Sequence, residues 1–597
     1  MSKTYENRDE IPNEYKWDLS LILDINKLDE YIKQINDLID KLAGFENHIL
    51  DSSDTLLEFL ETDKELDLLS TKLYLYAQLD CDTNTKDAKR QALKMQTTKL
   101  FETMGNKLSF ITPELLTKDL EYVKKLLEDK EELKKYNFYF EELYREKDHT
   151  LSKESEKLLS LTSPLLKGAK NAYYNLCNAD SIFGEVEDDD GESVKLTESN
   201  YVSLMSSQKQ EVRKNVFEEY YKFYKNHKNT LGNFYAQKIK EDFFISKARK
   251  YKSPLEMSLY ADNIKPDLYT HLIKQVHKYL PLMYRYLECR RKECKLDKMH
   301  MYDMYYNPII NKDKKYTFEE SKAIVREALK PLGEEYLEKL DEQFNNRWTD
   351  VYPSDGKKSG AYQWSYYDCP TYVLLNHTDD LKSVETLAHE YGHAMHTAFS
   401  CEYQDYIYHS YPIFLAEIAS TVNEVLLFDY MYNHTDDKAE KKAMILDLLD
   451  RYRTTIFRQT MFAEFEMIAH DKEESGIALT EEELSRTYYE LNKLYFGEDV
   501  VSDDDIRYEW MRIPHFYTPF YVYKYATGLI SAVSIVHAIL NNEEGAKEKY
   551  LKFLSSGGSN YPVEILKTAG IDIMSDKPYE DAFKYFEEKL KILESSE

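Results

Sequence analysis

The sequence predicts a mainly α-helical protein with a small amount of β-structure. Residues 20–165, and again about 200 to 345, form charged amphipathic segments with few glycines or prolines, the pattern of helices that bury one face. Two shorter segments, 181–196 and 348–377, interrupt this pattern with turn signals and β-forming residues. A chain of 597 residues, 42% of them hydrophobic, is long enough to form more than one hydrophobic core.

The first interruption reads as a β-hairpin. Asp190-Gly191 is a hairpin turn signal between two short runs of strand-forming residues. We place a domain boundary just after it, which gives an N-terminal helical domain of residues 1–200 and a second domain of residues 201–597. The helical pattern then resumes, and Thr317 to Glu320 is a capping box that begins one of its helices.

The second interruption lies directly before the most informative motif of the chain. Turn signals at Asp355-Gly356 and Ser359-Gly360 precede two runs of β-forming residues, 361–366 and 371–375. We expect two short strands here. Such a hairpin is either purely structural or an edge to which an extended peptide can add as a further strand.

Two histidines, His389 and His393, are four residues apart with Glu390 directly after the first. In a helix this spacing puts both imidazoles on one face, where they can bind a single zinc ion, and Glu390 lies beside them as a general base for water. Apolar residues recur at helical spacing from Val384 to Ala398, and Ser383 can cap the helix. The alternative is a solvated helix with two incidental histidines.

A catalytic zinc usually has a third protein ligand. A histidine of the metzincin type would need glycine at position 396 and histidine at 399, but the sequence has His396 and Phe399. His396 is therefore expected to pack in the protein or to support the ligands. Gly392, inside the helix, costs about 1 kcal/mol relative to alanine, which another chain segment or substrate in close approach would explain.

The best candidate for the third ligand is Glu417. It stands alone among the apolar residues 413–418, where a carboxylate is costly unless a positive group meets it. That group is either the metal or a lysine or arginine. Glu402 and Asp405 are competing ligands. Three polar residues follow on the same helical face and could orient a histidine: Ser420, Thr421 and Glu424.

A tyrosine-rich segment near the C-terminus contains His515 and four tyrosines within eleven residues. Hydrolysis of a peptide bond builds negative charge on the carbonyl oxygen, and neutral donors such as imidazole and tyrosine hydroxyl can stabilise that charge. The other interpretation is that these rings pack a helix interface, which we expect of Tyr521 and Tyr525.

Together these motifs resemble the thimet-oligopeptidase family of zinc peptidases, and most closely its bacterial oligoendopeptidase F branch. The likeness covers essentially the whole chain. The segments that carry it are YKWDLS at 15–20, KYKSPLEMSLYADNI at 250–264, HEYGHAMH at 389–396, FLAEIASTVNE at 414–424 and RIPHFYTPFYVYKYATG at 512–528.

The resemblance implies a zincin-like catalytic region in residues 201–597 with a small antiparallel sheet, and two largely helical halves that enclose a substrate channel. It implies one Zn²⁺ per chain and substrates that are short, unstructured oligopeptides. The residues it assigns are the zinc ligands His389, His393 and Glu417, the general base Glu390, the oxyanion donors His515, Tyr523 and Tyr517, and the substrate-binding sheet edge Gly360, Ala361 and Tyr362.

The expected function is therefore a zinc-dependent endopeptidase, and two alternatives stay open. An exopeptidase of the dipeptidyl-carboxypeptidase kind would need a fixed charge to hold a chain end, for which Arg507 and Arg512 are candidates. A non-catalytic helical scaffold would have no use for a base and oxyanion donors together.

Composition sets the expected partners and location. A net charge of -29 argues against nucleic acid and anionic membranes as partners. Residues 1–8 lack the apolar core of a signal peptide, and the apolar run 529–540 is too short and too polar to span a bilayer. The six cysteines show no paired metal spacing. We expect a cytoplasmic enzyme with peptide substrates, and the sequence leaves open whether it is a monomer or a homo-oligomer.

Overall fold

The structure is a computed structural model that describes residues 5–307 and 314–595. Helices account for 71% of it, which confirms the mainly α-helical prediction. The capping box predicted at Thr317 is present and begins α15. In the described residues the α-helices are α1 Leu28–Ala43, α2 Ser53–Thr83, α3 Ala88–Lys107, α4 Ile111–Leu115, α5 Leu120–Glu128, α6 Asn137–Arg145, α7 Lys153–Leu166, α8 Gly168–Tyr174, α9 Glu198–Met205, α10 Gln210–Asn226, α11 Lys228–Ala248, α12 Pro254–Tyr260, α13 Pro266–Lys278, α14 Leu280–Glu293, α15 Phe318–Ala328, α16 Glu334–Asn345, α17 Leu381–Tyr403, α18 Ile413–His434, α19 Lys438–Tyr452, α20 Arg458–Glu474, α21 Glu481–Phe496, α22 Tyr523–Leu540, α23 Ala546–Leu554, α24 Pro562–Thr568 and α25 Lys577–Ser595.

The strands are short. In the described residues they are β1 Glu185–Glu187, β2 Ser193–Lys195, β3 Met299–His300, β4 Thr349–Asp350, β5 Tyr362–Trp364, β6 Tyr372–Leu374 and β7 Val500–Val501. The predicted hairpin is confirmed: β1 and β2 pair antiparallel with Val186 opposite Val194. Gly191 has φ +84°, a conformation that glycine adopts without a steric cost.

The chain divides into two compact units, each built from separate segments. The first comprises Met1–Asp148, Asp313–Met431 and Ala538–Ile571, and the second comprises His149–Lys312, Tyr432–His537 and Asp572–Glu597. Each unit draws on residues from both sides of position 200. The boundary predicted there, and the channel between two halves, stay predictions.

The core of the first unit joins the N-terminal helices to the sheet that precedes α17. Apolar side chains from α1, α2, α5 and α6 form one cluster that also contains Tyr372 and Leu374 of β6. Trp17 packs edge-on against Tyr372, with ring centroids 6.0 Å apart. Because β6 is part of this core, it holds the neighbouring strand β5, which pairs with it, in place.

The segment YKWDLS fastens the N-terminus to that sheet. The backbone N–H of Val351 donates to the carbonyl of Tyr15 at 3.0 Å, and the N–H of Asp18 donates to the carbonyl of Arg347 at 2.6 Å. The hydroxyl of Tyr372 donates to the carbonyl of Asp18 at 2.7 Å. This segment therefore has a structural role next to β4 and β6.

The sheet that precedes the two-histidine motif has the order β4-β6-β5. The pair β5–β6 is antiparallel, as predicted, with Gln363 opposite Val373. Strand β4 pairs parallel to β6, so the sheet is mixed. Strand β5 is an edge of this sheet, and α17 packs against β5 and β6.

Most of α22, an apolar and largely buried helix, lies in the second unit. Among the residues that the structure describes, α22 is the helix whose length and composition would suit a membrane crossing, and 72% of it is buried inside the protein. The apolar run 529–540, predicted to be too short and too polar to span a bilayer, is the second part of this helix. A buried core helix passes the same test of length and composition. The expected absence of a membrane partner stays a prediction.

Removal of the Asp350 carboxylate is expected to destabilise the first unit strongly. Asp350 is fully buried between Arg8 and Lys357, whose Nζ lies 2.8 Å from its Oδ1. Asp350→Ala leaves these cations unpaired, which costs about 3–5 kcal/mol. Asp355→Ala is the matched control, because its pair with Lys86 is more than half exposed and is worth under about 1 kcal/mol. Equal urea midpoints for the two variants would contradict this ranking.

Candidate metal centre

Helix α17 presents the two histidines beside its buried stripe. Asp380 caps the helix, since its carboxylate accepts the backbone N–H of Ser383 at 2.8 Å. The predicted cap Ser383 lies inside the first turn instead. Val384, Leu387, Ala388, Tyr391, Ala394 and Met395 are buried. His389 and His393 occupy the adjacent, partly open face, with 28% and 15% of their side chains exposed.

Helix α18 crosses α17 closely at Gly392. A Cβ atom at this position would lie 2.5 Å from the Cα of Ser420 and 2.6 Å from the carbonyl oxygen of Ala419. The amide of Asn423 donates to the carbonyl of Ala388 at 3.0 Å. The close approach of another segment, one of the two reasons predicted for Gly392, is therefore confirmed.

The crossing brings His389, His393 and Glu417 together. The two Nε2 atoms are 3.2 Å apart, and Oε2 of Glu417 lies 3.5 Å from that of His389 and 3.6 Å from that of His393. Ligands at 2.0–2.1 Å around a tetrahedral zinc are separated by about 3.3 Å. The spacing of the three atoms therefore fits one metal ion, and in the described residues this is the group with that property.

Of the three residues predicted to orient a histidine, Glu424 contacts one, and Ser420 contacts Glu417 instead. Glu424 lies 3.1 Å from Nδ1 of His389, and Ser420 donates to Oε2 of Glu417 at 3.3 Å. Burial, the largest single influence, lowers the pKa of His389, but the hydrogen bond with Glu424 and the charges of Glu424, Glu390 and Glu417 together outweigh it, and the pKa is raised. The hydrogen bond from His393 lowers the pKa of Glu417.

Glu390 is buried next to this group and is 7% exposed. Burial raises the pKa of its carboxyl, while the two neighbouring histidines oppose the shift. The backbone N–H of Gln363 in β5 donates to the carboxylate. The edge strand therefore fixes the residue that the sequence predicts as the base.

The competing ligands are engaged elsewhere. Glu402 pairs with Lys339, and Asp405 lies 3.4 Å from Lys135. His396 is fully buried and stacks face to face on a tyrosine ring, with centroids 3.6 Å apart. Burial lowers the pKa of His396 to about 3, which agrees with its interpretation as a packing residue.

The predicted sheet-edge residues lie at the start of β5. Gly360 has φ +83°, and its carbonyl accepts a hydrogen bond from Asn376 at 2.8 Å. Ala361 directly precedes the strand, and the hydroxyl of Tyr362 donates to Asp82 at 2.8 Å. The strand prediction is confirmed, and the substrate-binding role of these residues stays a prediction.

The tyrosine-rich segment belongs to the second unit. His515 is exposed, whereas Tyr517 is 5% exposed and stacks on Tyr173 with centroids 4.2 Å apart. Tyr523 is fully buried, with its ring 5.4 Å from that of Tyr269. Burial raises the pKa of Tyr523 well above its usual value. The predicted donor roles of these residues stay predictions.

Tyr525 is the tyrosine whose hydroxyl meets His515. Its oxygen lies 3.4 Å from Nε2 of His515, although the sequence assigned Tyr525 to packing. Burial, followed by the charge of Arg458, lowers the pKa of His515, which favours the neutral imidazole. The helical period of α22 could have shown this pairing, because Tyr523 falls on the buried face and Tyr525 does not.

Comparison with known proteins decides the family. The family model described as "Peptidase family M3" matches residues 203–585, and the model described as "Oligopeptidase F" matches residues 114–183. The chain is 38% identical to oligopeptidase PepF of Bacillus subtilis, over 98% of this chain and 88% of that protein. The chain belongs to peptidase family M3.

Other comparisons agree with this family. The chain is also 38% identical to group B oligopeptidase PepB of Streptococcus agalactiae, over 99% of this chain and 98% of that one. A crystal structure from Chlamydophila abortus, described as that of a peptidase, matches with a TM-score of 0.92 and 36% identity, over 99% of this chain and 100% of that chain. Membership of family M3 makes this chain a metallopeptidase, and its His-His-Glu group has the donor set for the metal.

Replacement of Gly392 by alanine is expected to separate α17 from α18 and to weaken metal binding by at least about tenfold, since ligand spacing depends on this crossing. Gly105→Ala is the matched control, because its Cβ would meet nothing within 4 Å and alanine favours the helix by about 1 kcal/mol. Metal affinity is measured by competition with a chelating dye. Unchanged affinity in Gly392→Ala would show that the crossing does not set the ligand spacing.

Proposed function

We propose that the protein is a zinc-dependent endopeptidase that hydrolyses internal bonds of short, unstructured oligopeptides. The observation that carries the proposal is the His389, His393 and Glu417 group with Glu390 buried directly beside it. The relatives named as oligopeptidases support peptides as the substrate class. Two imidazoles and one carboxylate form a donor set that suits zinc.

His389, His393 and Glu417 would hold the metal, with Glu424 and Ser420 fixing two of them. When bound, zinc supplies a Lewis acid that polarises a peptide carbonyl and lowers the pKa of water. Glu390 accepts the proton of the attacking water through its carboxylate and then delivers it to the leaving amine nitrogen. The N–H of Gln363 orients the carboxylate for both transfers.

We propose His515 and Tyr525 as the donors that meet the carbonyl oxygen as it gains negative charge. The role of His515 rests on the family resemblance, and the choice of Tyr525 rests on the 3.4 Å contact between the two side chains. Both groups are neutral donors, which stabilise a developing charge without holding the ground state tightly. The burial of Tyr523 makes it a less accessible donor than Tyr525.

The substrate backbone is proposed to add to β5. This strand is an edge of its sheet and also contacts the base Glu390 through Gln363. Backbone pairing at an edge holds a peptide with little dependence on its side chains. The residues proposed to line this edge are Gly360, Ala361 and Tyr362. The cytoplasmic location expected from the sequence is kept as a proposal.

The arginines suggested for an exopeptidase are both engaged within the second unit. Arg507 pairs with Asp504, and the guanidinium of Arg512 lies 5.0 Å from the ring centres of both Tyr201 and Tyr220. Only 13% of the Arg512 side chain is exposed. These contacts favour structural roles over capture of a terminal carboxylate.

Cleavage of a doubly blocked, internally quenched peptide tests the endopeptidase proposal. We expect cleavage by the purified protein, loss of cleavage with a chelator and recovery with added zinc. A peptide without free ends offers nothing to an exopeptidase. Release of residues from free peptides alone would replace the proposal with the exopeptidase, and inactivity toward both kinds of peptide in the zinc-loaded protein would favour the scaffold.

Substitution of the base separates metal binding from turnover. Glu390→Gln keeps a polar side chain of the same size but removes the proton acceptor, so we expect full zinc content and a kcat lower by at least about a hundredfold. Glu385→Gln is the control on the same helix, because Glu385 pairs with Lys382 at 3.2 Å, within the first two turns of α17. Comparable kcat values for the two variants would exclude Glu390 as the base.

A further inference from the structure

The turn between His515 and Tyr525 contains a strained residue. Phe520 has φ +54°, a left-handed conformation that is rare for a bulky side chain. Such strain persists only where surrounding contacts hold it, and it is concentrated at functional sites. The turn joins the short helix Pro514–Tyr517 to α22, so its shape sets how the imidazole of His515 meets the hydroxyl of Tyr525.

Two side chains from distant helices hold this turn through its backbone. The hydroxyl of Ser258 in α12 donates to the carbonyl of Pro519 at 2.7 Å. The carboxyl Oε1 of Glu466 in α20 accepts the N–H of Phe520 at 2.8 Å. Glu466 is 1% exposed, so the backbone N–H of Phe520 would be buried without a partner if this acceptor were removed.

An ion pair holds the far side of the turn. Nζ of Lys524 lies 2.9 Å from Asp262, and about 15% of each side chain is exposed. Lys524 directly precedes Tyr525, so this pair fixes the first turn of α22. Ser258 and Asp262 both belong to the segment 250–264, one of the segments that resemble the family. The proposed metal site, base and donors include no residue of this segment.

We propose that Ser258, Glu466 and Asp262 are positioning residues that hold the strained turn so that His515 and Tyr525 stay paired. This inference rests on the proposed donor role of the two side chains. Donors to a developing charge act within narrow limits of geometry, and a displacement of about 1 Å can cost roughly a hundredfold in rate. The three anchors act through the turn: Ser258 and Glu466 bond to its backbone, and Asp262 pairs with Lys524.

Paired substitutions at two anchors provide the test. Ser258→Ala removes the hydroxyl donor and Glu466→Leu removes the acceptor, whereas Ser258→Thr and Glu466→Gln keep them. We expect kcat to fall roughly tenfold to a hundredfold in the first pair and to recover in the second, with KM within about twofold throughout. The affinity for a phosphinic peptide, which mimics the transition state, should fall in parallel with kcat.

Two further variants keep the test decisive if Glu466→Leu fails to fold. Asp262→Asn combined with Lys524→Met removes the ion pair without leaving a buried charge, and we expect the same loss of kcat. Ser531→Ala is the control, since among the described residues the hydroxyl of Ser531 donates within α22, to the carbonyl of Thr527. Loss of kcat in the control as large as in Ser258→Ala would overturn the inference.

A double-variant comparison distinguishes positioning from general damage. If Ser258 acts through the two donors, Ser258→Ala should cost nothing further in a background that carries both His515→Ala and Tyr525→Phe. Additive losses would overturn the inference. Unchanged kcat in Tyr525→Phe alone would remove the donor role and the inference with it, while the proposed metal site and base would still be judged independently by Glu390→Gln.

Discussion

The close crossing of α17 and α18 is the constraint on which the metal centre depends. Two ligands come from one helix and the third from the other, so the spacing of the three ligand atoms depends on how the two helices approach each other. Gly392 removes the side chain that would keep the helices apart. Asn423 then bonds to the carbonyl of Ala388 across the contact. A backbone contact between two helices therefore determines whether three ligand atoms can share one ion.

Around this crossing, two carboxylates of the same residue type have opposite environments. Glu390 is buried, and burial raises its pKa, whereas Glu417 is half exposed and accepts a hydrogen bond from His393 that lowers its pKa. A carboxylate that stays ionised suits a metal ligand, and one that takes up a proton more readily suits a base. The edge strand β5 adds to this difference between the two carboxylates, because the backbone N–H of Gln363 donates to Glu390.

The sequence predicted those parts of the site that depend on local spacing. The histidine pair can be recognised because residues four apart lie on the same face of a helix. Glu417 can be recognised because an isolated carboxylate in an apolar helix needs a positive partner. Local rules failed where two nearby residues can take the same role: Asp380, and not Ser383, caps the N-terminus of α17. Tyr525, which the sequence assigned to packing, meets His515, because packing against other helices sets which face of α22 is buried.

Contacts between residues far apart in sequence are beyond such rules, and the anchored turn consists of them. Ser258 and Pro519 are separated by 261 residues, and no periodicity relates them. A left-handed phenylalanine is likewise invisible in a sequence, where the same conformation would normally be assigned to glycine. Phe520 is 2% exposed, and its ring lies 4.6 Å from that of His470 and 5.6 Å from that of Tyr269, so packing helps to hold the strained conformation. Under the proposal, the strained turn also serves to position the donors on either side of it.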